Sequence, residues 1–171
     1  LKKVGVAYHE FTVPDPAYFA KALETTPVFF VKEMEQMESV ETRTALHRGF
    51  FTYSVLKVVP NLEKTFSAGQ NLDIFFFIFG TQPNAQNQND IEVSFEVKQG
   101  DTSSIRWAPQ VYANPLVSQP LPLKQTLNIK TGDQERTETK DLPPGDYQLV
   151  IQIKDKIGDK TATKTVDFTM K

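Results

Sequence analysis

The last thirty residues, Leu142 to Lys171, constrain the fold most. Pro143-Pro144-Gly145 makes a corner, and two alternating segments follow, separated by Lys156-Ile157-Gly158-Asp159-Lys160. In the first segment Tyr147, Leu149, Ile151 and Ile153 share one face, because successive strand side chains point to opposite sides. Val166, Phe168 and Met170 repeat the pattern in the second. Two such runs around a short Gly-containing turn read as the closing hairpin of an antiparallel β-sandwich. Within the turn, Gly158 is expected to supply a positive φ.

The upstream chain extends the same reading. Ile91, Val93, Phe95 and Val97 alternate with Glu92, Ser94, Glu96 and Lys98, an amphipathic strand. Leu72–Phe79 holds Phe75-Phe76-Phe77-Ile78-Phe79 and is apolar on both faces. Such a strand must be covered on both sides, or its outer face must meet another surface. Phe51 to Val58 alternates with apolar groups on both faces and reads as one strand. Ile105 to Leu123 carries Pro109, Pro115, Pro120 and Pro122, which excludes a regular central strand and predicts a crossover or an irregular edge. Thr126 to Lys130 reads as a short strand, and Arg136 to Lys140 as a polar connection. The expected architecture is an immunoglobulin- or fibronectin-III-like antiparallel β-sandwich of about seven strands over residues 49–171.

Residues 1–48 form an N-terminal extension in this reading. It contains a strand near Val4–Val13, a short helix over 16–24 started by Asp15 and Pro16, and a strand over Val28–Glu35. His9-Glu10-Phe11-Thr12-Val13 echoes Val166-Asp167-Phe168-Thr169-Met170. Either the first strand is the tail of a preceding module in a multi-domain chain, or the likeness is chance. A chain of 171 residues with 13 Phe can fill one sandwich core, with room for such a tail.

Composition bounds the function. Net charge is −2 and the basic residues are interspersed with acids, so bulk charge recruits no nucleic acid. No apolar run approaches the roughly 18 residues of a membrane-spanning helix, so no membrane insertion is expected. The absence of cysteine removes disulfides, thiolate ligands and Cys nucleophiles together.

The corner Leu142-Pro143-Pro144-Gly145-Asp146-Tyr147, with Asp155 and Phe168 after it, resembles the C-terminal β-sandwich of predicted secreted bacterial proteins of the GWxTD-domain and VWFA-related kind. Val13-Pro14-Asp15 and Phe66-Ser67-Ala68-Gly69-Gln70-Asn71-Leu72 add to the likeness. The Gly-Trp-x-Thr-Asp motif and the Asp-x-Ser-x-Ser metal signature are missing, so no functional residue is carried over. The resemblance implies a module of a larger exported protein, in the periplasm, at the cell surface or secreted.

Chemistry-bearing patterns are sparse. His9 and His47 form no ligand-spaced pair. Glu92 and Glu96 share a strand face about 13 Å apart at strand rise, farther than paired glycosidase carboxyls stand. Asn84, Asn87, Asn89 and Asp90, or Asp155 with Asp159, lack calcium-loop spacing. No metal or cofactor is expected, and no catalytic residue is assigned. The remaining candidates are Arg106, Trp107 and Tyr112, in the proline-rich connection. Exposed, these aromatics would stack on a sugar, making a carbohydrate-binding accessory module; buried, Trp107 is a core plug. The leading expectation is a non-catalytic binding or structural module acting through protein contacts or self-association. An enzyme is the third reading.

Overall fold

The computed structural model describes residues 15–39, 49–131 and 134–171, together with Tyr8, Glu10 and Thr12. The expected strand before Pro14 lies outside the described residues, as do His9 and His47.

The first element is helix α1, Pro16–Lys21. Asp15 caps it by accepting a hydrogen bond from the Ala17 amide at 2.8 Å, and Pro16 fills the first turn, where its missing N–H is not needed. It stops at Lys21 rather than running to Glu24. Ala22 turns extended, Leu23 is buried in the core, and Glu24 and Thr25 hydrogen-bond into a sheet. Burial of Leu23 and backbone pairing override the helix preference of these residues.

Fourteen strands follow among the described residues. They begin with β1 (Glu24–Thr25), β2 (Phe29–Gln36), β3 (Phe51–Tyr53), β4 (Leu56–Pro60), β5 (Thr65–Phe66) and β6 (Asn71–Phe79). Next come β7 (Ile91–Gln99), β8 (Thr102–Arg106), β9 (Gln110–Tyr112) and β10 (Leu116–Pro122). The last four are β11 (Lys124–Thr131), β12 (Gln134–Asp141), β13 (Gly145–Asp155) and β14 (Lys160–Met170).

They build an antiparallel β-sandwich. In the first sheet β6 is central, with β10 on one edge and β1 and β2 on the other; β4 and β3 continue beyond β2. The second sheet runs β5-β14-β13-β7-β8, with β9 also on β7. Connections β6 to β7 and β10 to β13 cross between sheets, and β5 lies parallel beside β14. This is immunoglobulin-like connectivity. β10 is an edge strand in the first sheet, pairing β6 over residues 116–122, so its prolines sit where a missing N–H leaves no gap in a ladder.

The core lies between the sheets and follows the period-two pattern. Leu72, Ile74, Phe76 and Ile78 of β6 face Ile91, Val93, Phe95 and Val97 of β7 and Tyr147, Leu149, Ile151 and Ile153 of β13. Phe30, Phe66 and Phe168 meet edge-on at one end, with centroid separations of 5.4, 5.7 and 6.1 Å. Residues 24–36 are therefore members of the first sheet, although they belong to the segment set apart at 1–48.

Two sequence expectations change. Phe51–Val58 is a hairpin rather than one strand: Ser54 adopts φ 53°, and β3 turns back along β4. Arg136–Lys140 is strand rather than connection, since β12 pairs with β11 over eight residues as a separate two-stranded ribbon. The ribbon sits in the β10–β13 crossover, anchored by buried Leu123 and Leu142, whose amide donates to the Leu123 carbonyl at 3.2 Å.

Two polar corners fix the closing hairpin. The Tyr147 hydroxyl donates to the Pro143 carbonyl at 2.9 Å, and its ring stacks on Phe168. This tyrosine corner secures the crossover into β13. At the other end Asp155, fully buried, accepts from the Gln82 amide at 2.8 Å and the Ile157 amide at 3.2 Å. The left-handed residue of this turn is Asp159, φ 48°, and not Gly158. Gly158 is required for space: a Cβ there would stand 2.4 Å from Asp155 Oδ2.

Gly158→Ala should therefore destabilise the chain by about 1–3 kcal/mol by displacing a buried, hydrogen-bonded carboxylate. Chemical denaturation checks this; an unchanged midpoint means the turn relaxes freely.

Burial also holds the Tyr147 phenol above its ordinary range. As pH rises the unfolded chain gives up this proton first. The stabilisation is therefore full below about pH 10 and is lost as pH climbs through the folded-state value. Tyr147→Phe should lower stability by about 1 kcal/mol at neutral pH and make the alkaline decline shallower. Melting curves across that range test it; an equally steep decline in the variant refutes it.

Candidate functional site

The residues singled out from the sequence lie along one edge of the second sheet. Arg106 ends β8, and its side chain, 70% exposed, pairs with Glu96 Oε1 across the strand at 2.8 Å. The Ser103 hydroxyl and then Arg106 hold the Glu96 carboxyl below the usual range, against the opposing effect of burial. Trp107 follows. Its amide donates to the Phe95 carbonyl at 3.2 Å, and its half-buried side chain packs against the main core. Tyr112 is also half-buried against that core, and its hydroxyl is engaged by Gln119 Oε1 at 2.5 Å and Gln110 Oε1 at 3.1 Å. Burial raises its phenol above the ordinary range. Val111, 62% exposed, lies between them in the chain and points outward. The three candidates do not converge into a binding platform: Arg106 is tied to Glu96, and both rings flank the core.

The other polar candidates have structural partners as well. Glu92 pairs with Lys156 of the β13–β14 turn at 2.9 Å, so both carboxylates of β7 are matched by cations from neighbouring segments. Asn84 Oδ1 accepts from the Gln86 and Gln88 amides, each at 2.9 Å, closing its own loop. Glu24 of β1 and Lys164 of β14 tie one sheet to the other, and the Lys164 ammonium holds the Glu24 carboxyl below its usual range.

Two features emerge only from the fold. The first is an aromatic surface on the outer side of the first sheet. The sheet curls so that β3 returns over β6. Tyr53 sits 4.7 Å from Phe77 and 6.3 Å from Phe75, centroid to centroid, and Phe51 lies 5.6 Å from Phe75 and 5.1 Å from Phe29. Phe75, Val31 and Val58 are buried beneath, while Phe51, Leu56, Phe77 and Leu116 are only half-covered. Tyr53 is 41% exposed, Phe79 41% and Met34 47%. Ser118 Oγ reaches Met34 Sδ at 3.8 Å, which fixes the thioether beside β10. The result is a second, smaller core whose upper layer is open to solvent. The signal for it is the two-sided apolar pattern of Leu72–Phe79; the partners Phe51 and Tyr53 are hidden in the sequence because Ser54, a non-glycine residue, makes the reversal.

The second is an open cleft of about 510 Å³ beside Val31, Asn61, Leu62 and Asp73. Burial raises the Asp73 carboxyl above its usual range. Lys32, Glu63 and Gln70 line the same cleft. It contains two carboxyls, those of Asp73 and Glu63, the Lys32 amine, and the Thr65 hydroxyl, which donates to the Glu63 backbone carbonyl at 3.2 Å.

The chain matches no known family model, and no curated protein matches it.

Trp107→Ala should destabilise the sandwich by about 2–4 kcal/mol, because a half-buried indole leaves a gap against the core, whereas Val111→Ser should change stability by less than about 0.5 kcal/mol. Denaturant midpoints for both variants check this. Equal, small effects would return Trp107 to the role of a surface ligand contact.

Proposed function

We propose that this chain is a non-catalytic binding module of a larger exported bacterial protein and acts through protein–protein contacts. The observation that carries this reading is the aromatic surface of Tyr53, Phe77, Phe79 and Met34, mounted on hydrogen-bonded strands. Aromatic residues and Met are enriched at the buried centres of protein interfaces, because they desolvate large area with few rotatable bonds. A rigid sheet face adds little ordering entropy on binding. The half-buried, core-flanking Trp107 supports the scaffold role over sugar stacking. Export is suggested by the resemblance of the Leu142–Tyr147 corner to secreted bacterial sandwiches.

The test is a double variant, Met34→Ser with Tyr53→Ser. Met34 and Tyr53 are 47% and 41% exposed, and the Tyr53 ring gives up its contacts with Phe75 and Phe77, so stability should fall by about 1–3 kcal/mol with the fold retained. Cross-linking with mass spectrometry in the cells that express the chain should then show loss of its protein contacts. A variant that keeps every cross-link of the parent overturns the proposal. So does turnover by the purified chain of ester, peptide, glycoside or phosphate substrates.

A further inference from the structure

The ribbon β11–β12 stands apart from both large sheets. β11 lies near β8, while β12 pairs only with β11 among the described residues. The eight residues of β12 therefore present one edge of backbone N–H and C=O groups without a neighbouring strand. No proline and no bulge interrupts that edge. A two-stranded ribbon is marginal in water, and an open, regular edge is a template for another strand.

The side chains on β12 are matched to a copy of themselves. Residues paired across antiparallel strands face the same side of the sheet. A two-fold axis normal to the sheet must therefore pass beside a residue and never between two. Centred on Arg136, that residue meets itself; centred on Glu138, Glu138 meets itself and Arg136 meets Lys140. Both arrangements set like charges opposite each other, which is unfavourable. Centred on Thr137, Arg136 of each strand faces Glu138 of the other, and the pairing extends over residues 134–140. Centring on Thr139 sets Glu138 against Lys140, but the pairing then runs into the buried anchor Leu142. Within one chain Arg136 Nη2 already reaches Glu138 Oε1 at 2.7 Å, and Arg136 and Thr137 are exposed.

We propose that the edge of β12 pairs antiparallel with β12 of a second copy of this chain, about a two-fold axis beside Thr137. Dimerisation converts two isolated ribbons into one four-stranded sheet, β11-β12-β12-β11. Its centre carries a ring of two Arg136 and two Glu138, flanked on the same face by the half-buried Leu127 and Ile129 of each β11. The proposal rests on the contact-making reading above and names the partner of one edge. It uses a surface separate from Tyr53 and Met34.

Sedimentation velocity over a concentration series of the full chain should show a monomer–dimer equilibrium. Arg136→Glu should raise the dimer dissociation constant about ten-fold or more, because both central pairs become like-charged. Arg136→Glu with Glu138→Arg should restore it. Because the chain has no cysteine, Thr137→Cys supplies a unique thiol. Short bifunctional thiol cross-linking should trap a dimer through position 137 and not through Thr139→Cys. A wild-type chain that is monomeric at every concentration, a dimer indifferent to Arg136→Glu, or a double swap that fails to restore it overturns the proposal. None of these results bears on the Met34/Tyr53 contacts, so failure here is distinguishable from failure of the proposed function.

Discussion

The fold depends on one constraint: β6 is apolar on both faces and must be covered twice. Leu72, Ile74, Phe76 and Ile78 are met by β7 and β13 across the sandwich. Phe75 and Phe77, on the other face, cannot be left to water without exposing a flat aromatic strand. The chain solves this within the same sheet. β2, β4 and β3 extend it and curl it, until Phe51 and Tyr53 lie over Phe75 and Phe77. Curling follows from the right-handed twist that every sheet accumulates. The second core is the consequence, and its incompletely covered layer supplies the aromatic surface.

Polar residues follow a related logic. Asp155 is buried because two backbone amides would otherwise lack acceptors at the junction of the β13–β14 turn and the loop at Gln82. Gly158 is glycine because that carboxylate occupies the space of a side chain. Tyr147 ties the crossover to β13 while its ring joins the aromatic end of the core. The Glu96–Arg106 pair joins β7 to β8, and the Glu24–Lys164 pair joins one sheet to the other.

Much of this was legible in the residues. The alternation in Ile91–Val97 and Tyr147–Ile153 defines the inner faces of β7 and β13, because the side-chain period of a strand is fixed at two. The prolines at 120 and 122 mark β10 as an edge, because proline cannot donate to a ladder. The Arg106, Trp107 and Tyr112 grouping was legible as composition but not as geometry. Whether a loop aromatic turns outward or lies on the core depends on pairing with β7, as at Trp107 and Phe95, and on partners such as Gln119 for Tyr112. The end of α1 is not legible for the same reason: Leu23 and Glu24 are acceptable helix residues until the core takes Leu23 and β6 takes Glu24. The ribbon strand β12 is not legible because its Thr, Glu, Arg and Lys residues carry no hydrophobic alternation. Its extended state comes from pairing with β11.

The sequence by itself determined the all-β class, the inner faces of the long strands, the edge position of β10 and the need to cover β6 twice. Each of these follows from local periodicity or from the chemistry of a single residue type. The tertiary structure alone decided which segment covers β6, where the sheet curls, that Trp107 flanks the core, and that among the described residues β12 pairs on one side only. Those outcomes depend on pairings between residues far apart in the chain. Register and burial there are set by packing and sheet twist, which no local pattern encodes.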